Sequence, residues 1–117
     1  KINQRREIAK IYSNKIKNKN IYLPSETPGN NHVYYNYVIR TKKRKKFINF
    51  LIKNNIETKI TYPFPIHRMK PYKNYSKEKL IITDKISKEI LSIPIYPELN
   101  IKSQNKIIKI INNFKSK

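Results

Sequence analysis

The stretch His32–Arg40 reads HVYYNYVIR; TKKRKKFINFLIKNN (41–55) and IETKI (56–60) follow it directly. In the first stretch Tyr35, Tyr37 and Ile39 alternate with Tyr34, Asn36 and Val38. The residue types are those that suit a pleated, half-buried surface, so the period of two predicts a strand over 32–40. From Lys42 the period lengthens, and Phe47, Phe50, Leu51 and Asn54 fall on one side of a predicted helix. Ile56, Thr58 and Ile60 restore the alternation and predict a second strand. A strand, a helix and a strand joined by short connections predict an α/β layer.

The flanks extend that layer. Residues 3–18, NQRREIAKIYSNKIKN, place Ile8, Tyr12 and Ile16 on one face with Ile11 beside them, which predicts an amphipathic helix without a clear N-cap. YLPSETPGNN (22–31) is a turn-rich connector holding Pro24, Pro28 and the chain's single glycine, Gly29. Further on, Thr83 is expected to cap a helix carrying Ile86, Ile90 and Leu91. SIPIYPELN (92–100), broken by Pro94 and Pro97, is expected to be extended, with Ile93 and Ile95 against the sheet edge. Asn100 can cap a last helix whose buried stripe is Ile107, Ile108, Ile111 and Phe114. The expected architecture is α/β: a small α/β sandwich with a two- to three-stranded sheet covered by helices, one small domain over 1–117.

Composition narrows the possible functions. The chain has 117 residues, 38% of them hydrophobic, and a formal net charge of +20. Its mean hydropathy is −0.77. High charge with low apolar content raises disorder as a possibility, but the apolar residues are periodic and 11% of the chain is aromatic, which favours a fold. No cysteine is present, and His32 and His67 stand far apart, so neither disulfides nor a zinc site is expected. No run approaches the roughly 18 apolar residues of a membrane span, and no signal-peptide core opens the chain, so a cytoplasmic protein is expected. The charge invites a polyanion-binding reading. Yet Lys greatly outnumbers Arg, and Lys, Asn and Ile all have codons of A and T alone, so drift in an AT-rich genome explains the basicity as well. TKKRKK (41–46), the densest basic run, reads as a solvated loop and first helical turn or as a phosphate-binding patch.

Chemistry-bearing motifs are few. One glycine cannot build a phosphate loop, and no GxSxG-type nucleophile motif occurs. The acidic residues, seven in all, are read as solvated partners of neighbouring lysines. What stands out is Thr61–His67, TYPFPIH. Pro63 and Pro65 fix φ and remove backbone donors, so the segment is a stiff loop and not the interior of a helix or sheet. Held this way, Tyr62 can present a hydroxyl at little entropic cost. His67 reads equally as a ligand contact or a satisfied structural histidine, and Phe64 is expected to pack inward.

Five blocks, RREIAKIY (5–12), HVYYNYVIR (32–40), IETKITYPFPIH (56–67), ILSIPIYPEL (90–99) and IIKIINNF (107–114), resemble in order and spacing the C-terminal end of the DegT/DnrJ/StrS family. These are pyridoxal 5'-phosphate-dependent aminotransferases of nucleotide-linked keto sugars. The resemblance implies the small C-terminal domain of a fold-type I aminotransferase, with 1–19 as the interdomain helix and 20–117 as the α/β domain. It also implies that the N-terminal large domain, which binds the cofactor, is absent from this chain. No catalytic, cofactor-binding or metal residue is then expected here, and the isolated chain is expected to be inactive and to bind no cofactor. In the complete enzyme the resemblance implies a nucleotide-sugar substrate, glutamate as amine donor and a homodimer, with no specific nucleic acid and no membrane. Tyr62, His67 and Thr61 become the substrate-side residues. Thr61 stands where many members have a histidine, and Tyr35 replaces the second histidine of the family's HxYHxY pattern.

Two readings stay beside this one: a small basic nucleic-acid-binding domain, and a stand-alone remnant acting as an interaction module. Salt separates the first of them. If drift explains the charge, binding to any oligonucleotide should be sequence-independent and largely lost at about 150–200 mM salt, because counterion release is its only drive. Retained tight binding to one sequence over a scrambled competitor would favour the nucleic-acid reading.

Overall fold

The computed structural model describes residues 1–75 and 79–116. Its elements are α1 (Ile2–Lys15), β1 (Tyr37–Arg40), α2 (Arg44–Lys53), α3 (Ile81–Ser87), β2 (Ile90–Ile93) and α4 (Ile101–Asn113), with two 3₁₀ turns at Ile66–Arg68 and Lys70–Tyr75. The strands pair antiparallel, Tyr37 opposite Ile93 and Ile39 opposite Leu91. Those four side chains are buried, whereas Val38 is exposed. The hydrogen bond from Thr41 N–H to Glu89 O (3.0 Å) carries the ladder one step further. Single bridges extend the sheet on both sides, Tyr22 to Arg40 on the β1 edge and Lys59 to Ser92 on the β2 edge.

Helices close over this ladder. Ile8, Ala9, Tyr12 and Ile16 from α1 and its end, Phe47 and Leu51 from α2, and Ile107, Ile108, Ile111 and Phe114 from α4 join one core with the strand residues. Aromatic edges organise the packing: Tyr12 meets Tyr37 at 5.2 Å and Phe47 meets Phe114 at 4.8 Å. The Tyr12 hydroxyl donates to Pro94 O (2.9 Å), and Tyr37 and Ser13 share a hydrogen bond of 2.8 Å. Asparagines tie the ends of α1 and α4 together. Asn112 Nδ2 donates to Lys15 O and its Oδ1 accepts from Lys17 N–H, while Asn18 Nδ2 donates to Ile111 O and Phe114 O. These amides satisfy carbonyls that helix termini leave unpaired.

Local signals explain the element ends. Asn100 caps α4, its side chain accepting from Ser103 N–H at 2.8 Å. At the end of α2, Asn55 takes a left-handed φ of 57°. There Asn55 N–H bonds to Ile52 O and Ile56 N–H to Leu51 O, the paired bonds of a Schellman cap, with buried Ile56 covering buried Leu51. Gly29 (φ 84°) closes a turn with Asn30 N–H on Thr27 O, as Pro-Gly at the turn centre favours.

The α/β class and the two-stranded, helix-covered sheet are as expected from sequence, and several details differ. The strand predicted over 32–40 begins only at Tyr37. Tyr34 turns to a φ of 47°, its N–H held by His32 Nδ1 (2.8 Å), so the alternation breaks and Tyr34, not Tyr35, is buried. The strand predicted over 56–60 is a single bridge at Lys59. Ile90 and Leu91 belong to β2 and not to the preceding helix, whose last residue is Ser87. Thr83 lies inside α3, and its N-cap is Leu80 without a side-chain bond. Ile93 is a strand residue of the ladder rather than a packing residue at its edge.

Neighbouring positions on α2 test this core. Leu51→Ala should lower unfolding free energy by about 2–5 kcal/mol, and Ile52→Ala, on a 59% exposed side chain, by no more than about 0.5 kcal/mol. Urea unfolding midpoints read both; equal losses would place the core elsewhere.

Candidate functional site

Residues 61–75 leave the sheet edge at the Lys59 bridge and return toward α3. Prolines 63 and 65 fix φ in the first part, where the chain bends at Thr61, Pro63 and Phe64, and Pro65 O accepts Arg68 N–H (2.9 Å) to start the first 3₁₀ turn. Tyr62 is 72% exposed and Phe64 66% exposed. Phe64 therefore does not pack inward: between two prolines it projects with Tyr62 from a loop whose 3₁₀ turns contain no buried residue. Thr61 Oγ1 is buried with no hydrogen-bond partner among the described residues.

One carboxylate reaches this loop. From α3, Asp84 Oδ1 accepts from His67 Nε2 (2.9 Å) and Arg68 Nε (3.0 Å), and Oδ2 accepts from Arg68 Nη2. The Arg68 hydrogen bond is the main reason that the Asp84 carboxyl is held down to about 2; partial burial opposes it and His67 adds to it. An ionised carboxylate only accepts, so His67 Nε2 carries a proton. Of the residues that sequence singled out, Tyr62 and His67 thus share one pinned loop. Tyr62 faces solvent, while the ring of His67 is turned to Asp84 and largely buried.

Sequence reasoning missed Asp84 by assigning the acids to adjacent lysines. Three acids instead make distant ties: Asp84 to His67 and Arg68, Glu26 to Arg6 (2.7 Å) and Glu89 to Arg40 (3.3 Å). Arg6 also donates to His32 O, which makes the His32 region part of the same tie to α1. The usable signal was scarcity, since in a chain of charge +20 an acid has many suitors and its distant ones can win. The basic run lies along an open cleft of about 600 Å³ with Lys42, Lys43, Arg44, Lys45, Lys46, Asn49 and Lys88. Arg44 is committed to structure, donating to Ser87 O (2.6 Å) and Ile90 O (3.2 Å) and so joining α2 to the α3–β2 connection. Among the described residues no cluster of His, Cys, Asp or Glu could hold a metal ion, and no helix is long and apolar enough to cross a membrane.

The sequence profile of the DegT/DnrJ/EryC1/StrS aminotransferase family matches residues 1–112. The chain is 36% identical over 111 residues to the dTDP-3-amino-3,6-dideoxy-alpha-D-galactopyranose transaminase of Aneurinibacillus thermoaerophilus, covering 95% of this chain and 31% of that protein. It is 35% identical to the dTDP-3-amino-3,4,6-trideoxy-alpha-D-glucose transaminase of Micromonospora megalomicea subsp. nigra, over 76% of this chain and 25% of that one. A crystal structure of a DegT DnrJ EryC1 StrS aminotransferase from Brucella abortus superposes with a TM-score of 0.89 at 30% identity, over 99% of this chain and 31% of that one. The chain spans between a quarter and a third of the length of these relatives.

The Asp84 tie has a pH signature with a definite sign. Its carboxyl titrates near 2 in the fold against an ordinary 3.8, so the contribution to stability is fully present above about pH 4 and is lost as pH falls through about 2. The stability difference between the native chain and Asp84→Asn should shrink as pH falls from about 4.5 toward 2. Thermal melts across this range measure it, and a difference that persists at pH 2 would contradict the assignment.

Proposed function

The chain belongs to the DegT/DnrJ/EryC1/StrS aminotransferase family, and we propose that it is the C-terminal part of a pyridoxal 5'-phosphate-dependent aminotransferase. The enzyme transfers an amino group, with glutamate as donor, to a nucleotide-linked keto sugar in amino-sugar or surface-polysaccharide biosynthesis in the cytoplasm. The observation that supports this is the match to two dTDP-sugar transaminases, at 36% identity over 95% of this chain and 35% identity over 76% of it. Residues 1–19, of which Ile2–Lys15 are helical, join the domains, and 20–117 belong to the small domain.

This chain's own residues act on the substrate side. Pyridoxal phosphate is anchored by a lysine desolvated in a pocket, and every described lysine is solvent-exposed, so the described residues do not fit the group. The anchoring lysine then belongs to the large domain, and this chain's residues act in binding. What the chain offers is a stiff loop with an outward Tyr62, backed by Thr61 and His67, at the cleft between the domains. Tyr62, Phe64, Ile66, Tyr75, Ile81 and Ile82, all more than half exposed, gather in the loop and the start of α3. Apolar exposure on that scale marks an interaction surface; the large domain and the second subunit of a homodimer are its partners.

The test is Tyr62→Phe in the complete enzyme. Loss of one neutral hydrogen bond to the sugar nucleotide should cost about 0.5–1.5 kcal/mol, roughly a 2- to 12-fold fall in kcat/KM, with melting temperature and cofactor content unchanged. Unchanged kinetics with a lowered melting temperature would show that the loop only packs.

A further inference from the structure

We propose that Asp84 is a positioning residue for the substrate side: it holds loop 61–75 in the conformation that presents Tyr62 and sets the tautomer of His67. The proposal rests on the functional reading above and adds to it the part that makes the loop rigid.

Burial does not hold this loop. Neither 3₁₀ turn contains a buried residue, and Tyr62, Phe64, Ile66 and Tyr75 all face solvent. Prolines stiffen its first residues but do not fix where the loop sits relative to the sheet. Among the described residues, the side-chain hydrogen bonds that reach from it to another element end on Asp84. His67 and Arg68 are adjacent in a 3₁₀ turn, so their side chains leave the axis about 120° apart. Both converge on one carboxylate, which fixes the rotation of the turn as well as its position.

Asp84 is itself firmly mounted. Its backbone carbonyl accepts from Ser87 Oγ (3.0 Å), and Ser87 O accepts from Arg44 of α2. Arg44 also reaches Ile90 O, so the path from loop to sheet runs Asp84, Ser87, Arg44, β2. The carboxylate has a chemical effect besides. By accepting from Nε2–H it leaves Nδ1 as the acceptor whenever the ring is neutral, the arrangement needed to take a hydrogen bond from a sugar hydroxyl. An apolar residue at 84 would release both the loop and the tautomer.

The experiment uses the complete enzyme with Asp84→Ala, Asp84→Asn, Asp84→Glu, Tyr62→Phe and the double variant Asp84→Ala/Tyr62→Phe. Amide hydrogen exchange over 66–75 and tryptic cleavage after Arg68 should speed up about tenfold or more in Asp84→Ala, less in Asp84→Asn, and recover in Asp84→Glu. KM for the sugar nucleotide should rise about tenfold in Asp84→Ala with kcat within about twofold, because binding must then order the loop. Adding Tyr62→Phe should cost little more, since the two act through one contact. Unchanged exchange and cleavage in a folded Asp84→Ala or Asp84→Asn enzyme overturns the proposal, and so do fully additive KM losses. Faster exchange in an enzyme that turns over no nucleotide sugar supports the clasp and sinks the functional reading instead.

Discussion

The antiparallel pairing of Tyr37–Arg40 with Ile90–Ile93 is the constraint on which the other elements depend. It joins segments some fifty residues apart, a closure whose entropy cost only buried contacts can offset. The inward residues of both strands supply them, and α1, α2 and α4 meet over that face. Everything between the strands is organised by where the ladder leaves off. Thr41 extends it and α2 follows; Lys59 touches its far edge and the proline loop begins; Glu89 closes the return. The loop is an excursion from a fixed frame, which is how a mostly exposed segment can have a defined place.

Charge organises what the core does not. With 27 cationic side chains against seven acids, most lysines have no acid to meet. Three of the acids are used for ties across the fold: Glu26 fastens the connector to α1, Glu89 lies beside Arg40 at the end of the ladder, and Asp84 fastens the loop to α3. Exposed pairs of this kind contribute little to stability one at a time. The value of the Glu26 and Asp84 ties lies in position, since each fixes a segment that has little burial of its own, whereas Glu89 is buried at the end of the ladder.

Much of the fold was legible because it obeys local rules. The stripe of α4, its Asn100 cap and the apolar face of α1 follow from spacing and from one capping residue, and the structure keeps them. The misreadings share a cause, a tertiary preference overriding a pattern. The alternation of HVYYNYVIR is continuous on paper, yet His32 and Tyr34 form a local turn that removes its first half from the sheet. Ile90 and Leu91 continue a helical spacing but pair with β1, because the ladder needs a partner. Phe64 looks like core by type, yet prolines on both sides keep it out. Of the candidate site, the proline-held loop that leaves Tyr62 exposed was readable from the sequence. Asp84 was not, since nothing local distinguishes it from a surface acid beside a lysine.

We propose that a small domain presents Tyr62, on a loop pinned by Asp84, to the sugar-nucleotide side of an aminotransferase. The most direct test of this claim is a crystal structure of the complete enzyme with its sugar nucleotide bound. The claim requires Tyr62 Oη within about 3 Å of a polar atom of the nucleotide sugar, with Asp84 still bonded to His67 and Arg68. A well-ordered ligand with loop 61–75 turned away from it, or the carboxylate of Asp84 released, would contradict the claim.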